Sequence, residues 1–368
     1  MTTTGVHLRT RVGPAPLIVA VVALVLGGAL VVRNLVVTDW DATIFTAFGI
    51  DAPATLEYGE RLLGEVDARS DLGHDGKFFF VQANDPWYLQ PADHAVHLDR
   101  PLYRAQRMLY PVLAGGFGLF VPATVVWAMV VVNVLGLAAG TYASALVSRG
   151  MGGSSWWGLA FGLNIGLLSE MLVGGAGIVG AASVMFAVAA LQRGYGGWAL
   201  ASTVAAVLSR EVLLIAAVGC GWWLWRRRER VPAVRFVLIP ALSVVAWAVY
   251  LRMRLGWNGG VEEVQELGLP FVGFVRAFEL WGGRPVNMVT GISVMLLLVL
   301  FTRRVLTGNW LVGWATFGFV PLTLLFTRQV WFNYFDITRA VAPLITGFLL
   351  MAFAARSRDD AEILEPRL

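Results

Sequence analysis

Apolar runs long enough to cross a lipid bilayer recur along almost the whole chain, a pattern no soluble fold accommodates. A straight helix needs about 20 apolar residues to cross a hydrocarbon core of about 30 Å. The apolar segments fall at 15–37, 107–120, 122–147, 155–170, 175–192, 196–209, 211–226, 232–255, 285–304, 309–327 and 337–355. Several are shorter than a straight span, as expected of helices tilted within a bundle or continued through polar residues that face protein. Charged residues make up 14% of the chain, against about 25% in a soluble domain, too little polar surface for water. The sequence therefore predicts an all-α, polytopic transmembrane helical bundle.

The net charge of +4 does not point to nucleic acid. The arginines are scattered at helix ends rather than gathered in one stripe, where they orient membrane spans. Arg9 and Arg11 precede the first span. Arg149, Arg193, the Arg226–Arg230 run, Arg303, Arg304, Arg356 and Arg358 mark later cytoplasmic ends. These markers agree with one another if 107–120 does not cross, which gives about ten spans with both termini cytoplasmic; crossing would make eleven. The run 14–37 is too long for a signal-peptide core and reads as an uncleaved first span. Cys220 is the single cysteine, so no internal disulfide or cysteine-based metal cluster forms.

With this topology the hydrophilic segment 38–107 lies outside. It carries 12 of the 24 acidic residues. Its aromatic cluster, Phe78, Phe79, Phe80, Trp87 and Tyr88, favours the headgroup layer, so short amphipathic helices lying on the membrane are expected. A second external loop spans 256–284, with Glu262, Glu263, Glu266, Arg276, Glu279 and Arg284. The bundle proper covers 108–355, and 356–368 is a cytoplasmic tail.

The chemistry-capable residues collect on the external side. Glu170, Arg210, Glu211, Arg284, Arg328, Asp336 and Arg339 join the first loop there, and ionisable groups at such depth line a cavity or pair with one another. Asp75, in His74-Asp75-Gly76-Lys77-Phe78, reads either as an acid placed to accept a proton from an attacking hydroxyl or as the N-cap of the following helix. Arg100, Arg104 and Arg107 recur at near-helical spacing and suit a lipid phosphate or diphosphate, or else snorkel to headgroups. Arg210 and Glu211 read as an intramembrane ion pair or as a phosphate contact and its orienting acid. Arg328 and the stretch Asn333–Arg339, with Asp336, look like a second set of contacts or interface anchors. Asp39 and Asp41 are a paired-acid candidate for a divalent cation or an alternative base. His74, His94 and His97 lack metal-binding helical spacing.

These motifs, in this order, resemble the GT-C superfamily of integral membrane glycosyltransferases, and within it the bacterial cell-surface glycopolymer formation proteins. The resemblance rests on Asp75-Gly76-Lys77-Phe78-Phe79, on Tyr103-Arg104-Ala105-Gln106-Arg107-Met108-Leu109-Tyr110-Pro111, on Ser209-Arg210-Glu211, and on Arg339 with Pro343. It implies inverting transfer of a sugar from a polyprenyl-phosphate donor to a glycan or lipid acceptor on the external face of the plasma membrane. Asp75 is then the base, and Arg104, Arg107, Arg210 and Arg339 contact the donor phosphate; Arg100, Tyr110, Glu211 and Arg328 are further candidate substrate- or phosphate-binding residues. Lys77 departs from the pattern, placing a cation beside the base that either stabilises the carboxylate or binds phosphate itself. The competing expectations are a transporter or flippase of lipid-linked glycans, against which the chain shows no paired halves, and a non-catalytic assembly subunit.

Overall fold

The computed structural model describes residues 13–256 and 267–364, with side chains through Ala354. Arg9, Arg11, Glu262, Glu263, Glu266, and the side chains of Arg356 and Arg358 lie outside the described residues. Helix accounts for 76% of the structure and no strand occurs among the described residues. Hydrocarbon demands this, because helices satisfy their own backbone N–H and C=O groups where no water can.

The helices follow the apolar pattern closely. α1 (Ala15–Val37) leads into a cap built from α2 (Pro53–Leu63), α3 (Gly76–Asn84) and α4 (Pro101–Arg104). After α5 (Leu109–Phe117) come α6 (Pro122–Gly150), α7 (Leu159–Gly162), α8 (Ile165–Leu172), α9 (Gly177–Gln192), α10 (Gly196–Ser209), α11 (Leu214–Arg226) and α12 (Arg230–Leu255). The rest comprises α13 (Val272–Leu280), α14 (Pro285–Thr307), α15 (Leu311–Phe317), α16 (Phe319–Leu325), α17 (Arg328–Trp331), α18 (Tyr334–Ala340) and α19 (Ala342–Leu364).

Four of these, α1, α6, α12 and α14, are long and apolar enough to cross a membrane, and α18–α19, bent by 66°, makes a fifth if counted as one span. The chain is thus an all-α, membrane-embedded protein. α5, the 107–120 segment, has nine residues, roughly 13 Å of helix, less than half of a bilayer core.

α6 lies at the centre, with α1, α5 and α9 against it. Along α1, Val19, Ala23, Gly27, Val31 and Leu35 form a buried stripe at four-residue spacing. Leu17, Val21, Val25, Val32 and Val36 on the other side are exposed, as a lipid-facing surface requires. Packing without water relies on close van der Waals approach.

Several apolar segments are broken, and polar residues mark the breaks. Asn164 splits 155–170: its side-chain oxygen accepts the Gly166 N–H at 3.0 Å, while its amide donates to the Ala342 carbonyl at 2.9 Å and to the Thr346 hydroxyl at 3.1 Å. α10 stops at Ser209 because Arg210 takes up extended backbone (φ −152°, ψ 118°). A continued helix would carry Arg210 and Glu211 away on its surface; the break directs each into the protein.

The cap departs from the expected membrane-surface platform. Phe78, Phe79 and Phe80 are all buried, as is Tyr88, and only Trp87 of the aromatic cluster is exposed. α3 packs on α5, α2 and α6, so these rings form protein core instead of meeting headgroups. The reason is visible at Gly76. A Cβ there would collide with the Val173 carbonyl oxygen, so glycine lets the start of α3 press against the turn between α8 and α9.

Gly166 makes the equivalent close approach between α8 and α18, where a Cβ would strike the Thr338 carbonyl oxygen. Gly166→Ala is expected to push these helices apart and lower stability by about 1–3 kcal/mol, read as a fall in the thermal midpoint of the detergent-solubilised protein.

Candidate functional site

Asp75 occupies the N-cap position of α3, yet its carboxylate accepts no hydrogen bond from the helix. It turns instead toward three guanidiniums. Arg104 Nη1 donates to Oδ1 at 2.8 Å, while Arg339 Nη2 and Arg107 Nη1 reach Oδ2 at 3.4 and 3.5 Å. The capping alternative therefore gives way to a charged cluster. Gly76 contributes by seating α3 where Asp75 can meet Arg339, 264 residues further on.

Each arginine holds a second acid. Arg104 grips Asp99 with two bonds of 2.9 and 3.0 Å and stacks on Phe78, 3.9 Å from the ring centre. Arg107 Nε faces Glu211 Oε2 at 3.8 Å. Arg339 Nε donates to Glu170 Oε1 at 3.1 Å, and its Nη1 lies 3.6 Å from Asp336. Arg210 reaches the same Glu170 oxygen at 3.3 Å, and the Gly177 N–H donates to the other at 3.4 Å. Glu170 is 2% exposed. A carboxylate this deep is tolerable only with such partners.

These groups line a cavity of about 310 Å³. Its lining is ionic through Asp75, Glu170, Glu211, Asp336 and the arginines 100, 104, 107, 210 and 339, and apolar through side chains that include Phe319, Leu322, Phe326, Val330 and Pro343. Burial pushes the Asp75 carboxyl up, but Arg107, Arg104, Arg339 and Arg210 together outweigh it and hold the group well below the usual carboxylate range. His74 stands beside the cluster with its ring 5.1 Å from that of Phe335. Burial, helped by Arg339 and Arg69, lowers it to about 4, so it is neutral at pH 7.

The structure thus brings together Asp75, Arg100, Arg104, Arg107, Arg210, Glu211, Asp336 and Arg339. The other candidates stand outside the cavity lining. Lys77 is buried, its Nζ donating to the Leu72 carbonyl oxygen and lying over the Phe78 ring; two residues beyond Asp75 on α3, it points elsewhere and does not line the cavity. The Tyr110 hydroxyl donates to the Met129 carbonyl and accepts from Asn133, which makes it a buried strut between α5 and α6. Arg328 is exposed at the start of α17 and outside the cavity. Asp41 caps a short 3-10 turn through the Thr43 N–H at 2.8 Å, and Asp39 is exposed at the end of α1. Neither lines the cavity. Arg210 and Glu211 do not pair with each other but with Glu170 and Arg107. No group of three or more His, Cys, Asp or Glu among the described residues is arranged for a metal ion. His94 meets the Tyr58 hydroxyl at 2.6 Å, and His97 Nδ1 lies 2.9 Å from the Ala54 carbonyl, pinning the loop to α2.

Glu170 had no assigned role in the sequence, although it is the deepest member of the cluster. Its one signal was a lone acid inside an apolar helix.

No protein-family model, curated protein or solved structure matches this chain. Fold and site define an all-α membrane-embedded protein whose scattered acids and arginines converge on one cavity, half ionic and half apolar.

Glu170→Gln takes from the half-buried Arg210 its carboxylate partner and leaves Arg339 with Asp75 and Asp336. The expected cost is about 3 kcal/mol, measurable as a lowered unfolding midpoint. His74 carries a pH dependence of its own. The unfolded histidine binds a proton below about 6.5 and the folded one only near 4, so its contribution is present above 6.5 and is lost as pH falls toward 4. His74→Gln is expected to flatten this part of a stability profile recorded from pH 7 to 4.5.

Proposed function

We propose that this protein is an inverting glycosyltransferase of GT-C type, moving a sugar from a polyprenyl-phosphate donor to a cell-envelope glycan or lipid acceptor. The observation that carries the reading is a carboxylate, Asp75, meeting three arginines in a cavity whose lining is part ionic and part apolar. Arginine presents a planar fork of donors suited to phosphate oxygens, and the apolar part of the lining suits an isoprenoid chain. A lipid-linked phosphate carries both features in one molecule.

In the reaction, the acceptor hydroxyl oxygen attacks the anomeric carbon and a new C–O bond forms. Its proton passes to Asp75. The anomeric C–O bond to phosphate breaks, its electron pair leaving on the phosphate, where Arg104, Arg107, Arg210 and Arg339 stabilise the developing charge. The ion-pair lattice holds these groups in fixed relation, so the site needs only to align acceptor, anomeric carbon and base.

The proposed topology has about ten spans, both termini cytoplasmic and the cavity at the external face of the plasma membrane. It is supported by the run of α9 and α11, each with one end at the cavity and Arg193 or Arg226 and Arg227 at the other. Basic residues mark cytoplasmic ends, which leaves the cavity outside.

Purified protein supplied with radiolabelled polyprenyl-phosphate sugars and an envelope acceptor fraction tests the proposal. Turnover is expected, and Asp75→Asn should reduce it by about 10²–10⁴ with expression and membrane insertion unchanged. Near-normal transfer by that variant removes Asp75 as base. Movement of the lipid-linked sugar between leaflets without transfer replaces the enzyme with a transporter.

A further inference from the structure

The arginines that would receive a phosphate are already engaged. Arg100, Arg104, Arg107, Arg210 and Arg339 stand against Asp75, Asp99, Glu170, Glu211 and Asp336, five cations to five carboxylates. Such a lattice is no open anion hole: where Arg104, Arg107 and Arg339 converge, a phosphate enters only by taking the place of a carboxylate.

The geometry identifies which one. Glu170, with 3% of its side chain exposed, is held from below by two arginines and the Gly177 N–H. Asp99, with 43% of its side chain exposed, is outside the cavity lining and grips Arg104 through both oxygens. Glu211 and Asp336 line the cavity too, with 28% and 32% of their side chains exposed, but each stands against one arginine. Asp75 lines the cavity with 28% of its side chain exposed and is the carboxylate on which three arginines converge, receiving a single N–H from each of Arg104, Arg107 and Arg339. Moreover, each of those three arginines keeps another carboxylate when Asp75 withdraws: Asp99 for Arg104, Glu211 for Arg107 and Glu170 for Arg339. The guanidiniums are therefore fixed independently of Asp75, whose two oxygens fill the point where they converge. Two or three oxygens of a phosphate match that position, and arginine favours them in a forked geometry.

Resting on the glycosyltransferase reading above, we infer that Asp75 is a placeholder for the donor phosphate: the incoming phosphate takes Arg104, Arg107 and Arg339 from it, and so releases the base only when a donor is bound. Until the exchange, the carboxylate is held by three cations and has little tendency to accept a proton. Afterwards those cations are neutralised by phosphate, whose own negative charge nearby makes Asp75 more basic. Donor binding then precedes productive acceptor binding, and acceptor is not activated against water-filled space.

The inference makes Asp75 a competitor of the phosphate as well as its chemical partner. Binding of farnesyl phosphate, a short isoprenoid phosphate, and of inorganic phosphate is measured by calorimetry on the detergent-solubilised wild type, Asp75→Asn and Asp75→Glu. Asp75→Asn is expected to bind farnesyl phosphate about tenfold tighter than wild type, the scale of a close charge pair removed from competition. Asp75→Glu, which keeps the charge, should stay near wild type and shows that the change is not a general loosening. Tighter farnesyl phosphate than inorganic phosphate in all three proteins assigns the ligand to lipid. Unchanged or weaker binding by Asp75→Asn, with wild type still binding, overturns the exchange and leaves the glycosyltransferase reading standing. Binding of neither phosphate by any of the three proteins overturns both.

Discussion

Everything at the cavity depends on a constraint of low dielectric: a charge withdrawn from water needs an opposite charge within reach. Arg339 shows how far this organises the chain. Its guanidinium contacts Asp75 in the cap, Glu170 on α8 and Asp336 one turn earlier on α18. Three segments distant in sequence are thereby brought to one level. The same constraint explains why the helices break there. Arg210 stands at one such break in extended backbone, while Glu170, Asp336 and Arg339 lie on the short helices α8 and α18 beside others. Elsewhere α1, α6, α12 and α14 run unbroken through apolar surroundings.

Much of this was legible in the sequence because hydrophobic length is a one-dimensional signal. Every apolar segment became a helix or a run of short helices. The number of crossings is less direct, since a segment such as 155–170 has the composition of one span while Asn164 divides it. Asp75, Arg104, Arg107, Arg210 and Arg339 were singled out from short motifs, and the structure gathers all five. Motif neighbours fared worse. Lys77 and Tyr110 stand within or next to those motifs, but successive residues on a helix point about 100° apart, and both side chains are used inside the protein.

Other features carry no distinguishing mark at sequence level. Phe78, Phe79 and Phe80 have the same composition whether they meet headgroups or a core, and only the collision avoided at Gly76 fixes the answer. Glu170 is the plainest case. An acid in an apolar helix announces a partner without naming it, and its partners are 40 and 169 residues away. Arg210 and Glu211, adjacent and oppositely charged, suggested a pair with each other. The extended backbone at Arg210 sends the two to different carboxylate and guanidinium partners.

A lattice of buried ion pairs is a weak way to stabilise a fold, because apolar side chains of similar volume often do as well or better. Its retention at one level of an otherwise apolar bundle thus calls for a use other than stability. The cavity supplies one: its arginines share the lining with apolar side chains, so a phosphate and a hydrocarbon chain can be bound in it together. Fixing five guanidiniums through five carboxylates also solves a problem that an unpaired arginine cluster would face. Like charges crowded in low dielectric repel, and without anions they would spread or open the bundle. With acids between them the cluster is neutral, and its positions are set before any substrate arrives. The carboxylates that hold the arginines in place are therefore part of the recognition of phosphate, and the one on which three arginines converge is also the one whose chemistry the proposed reaction needs.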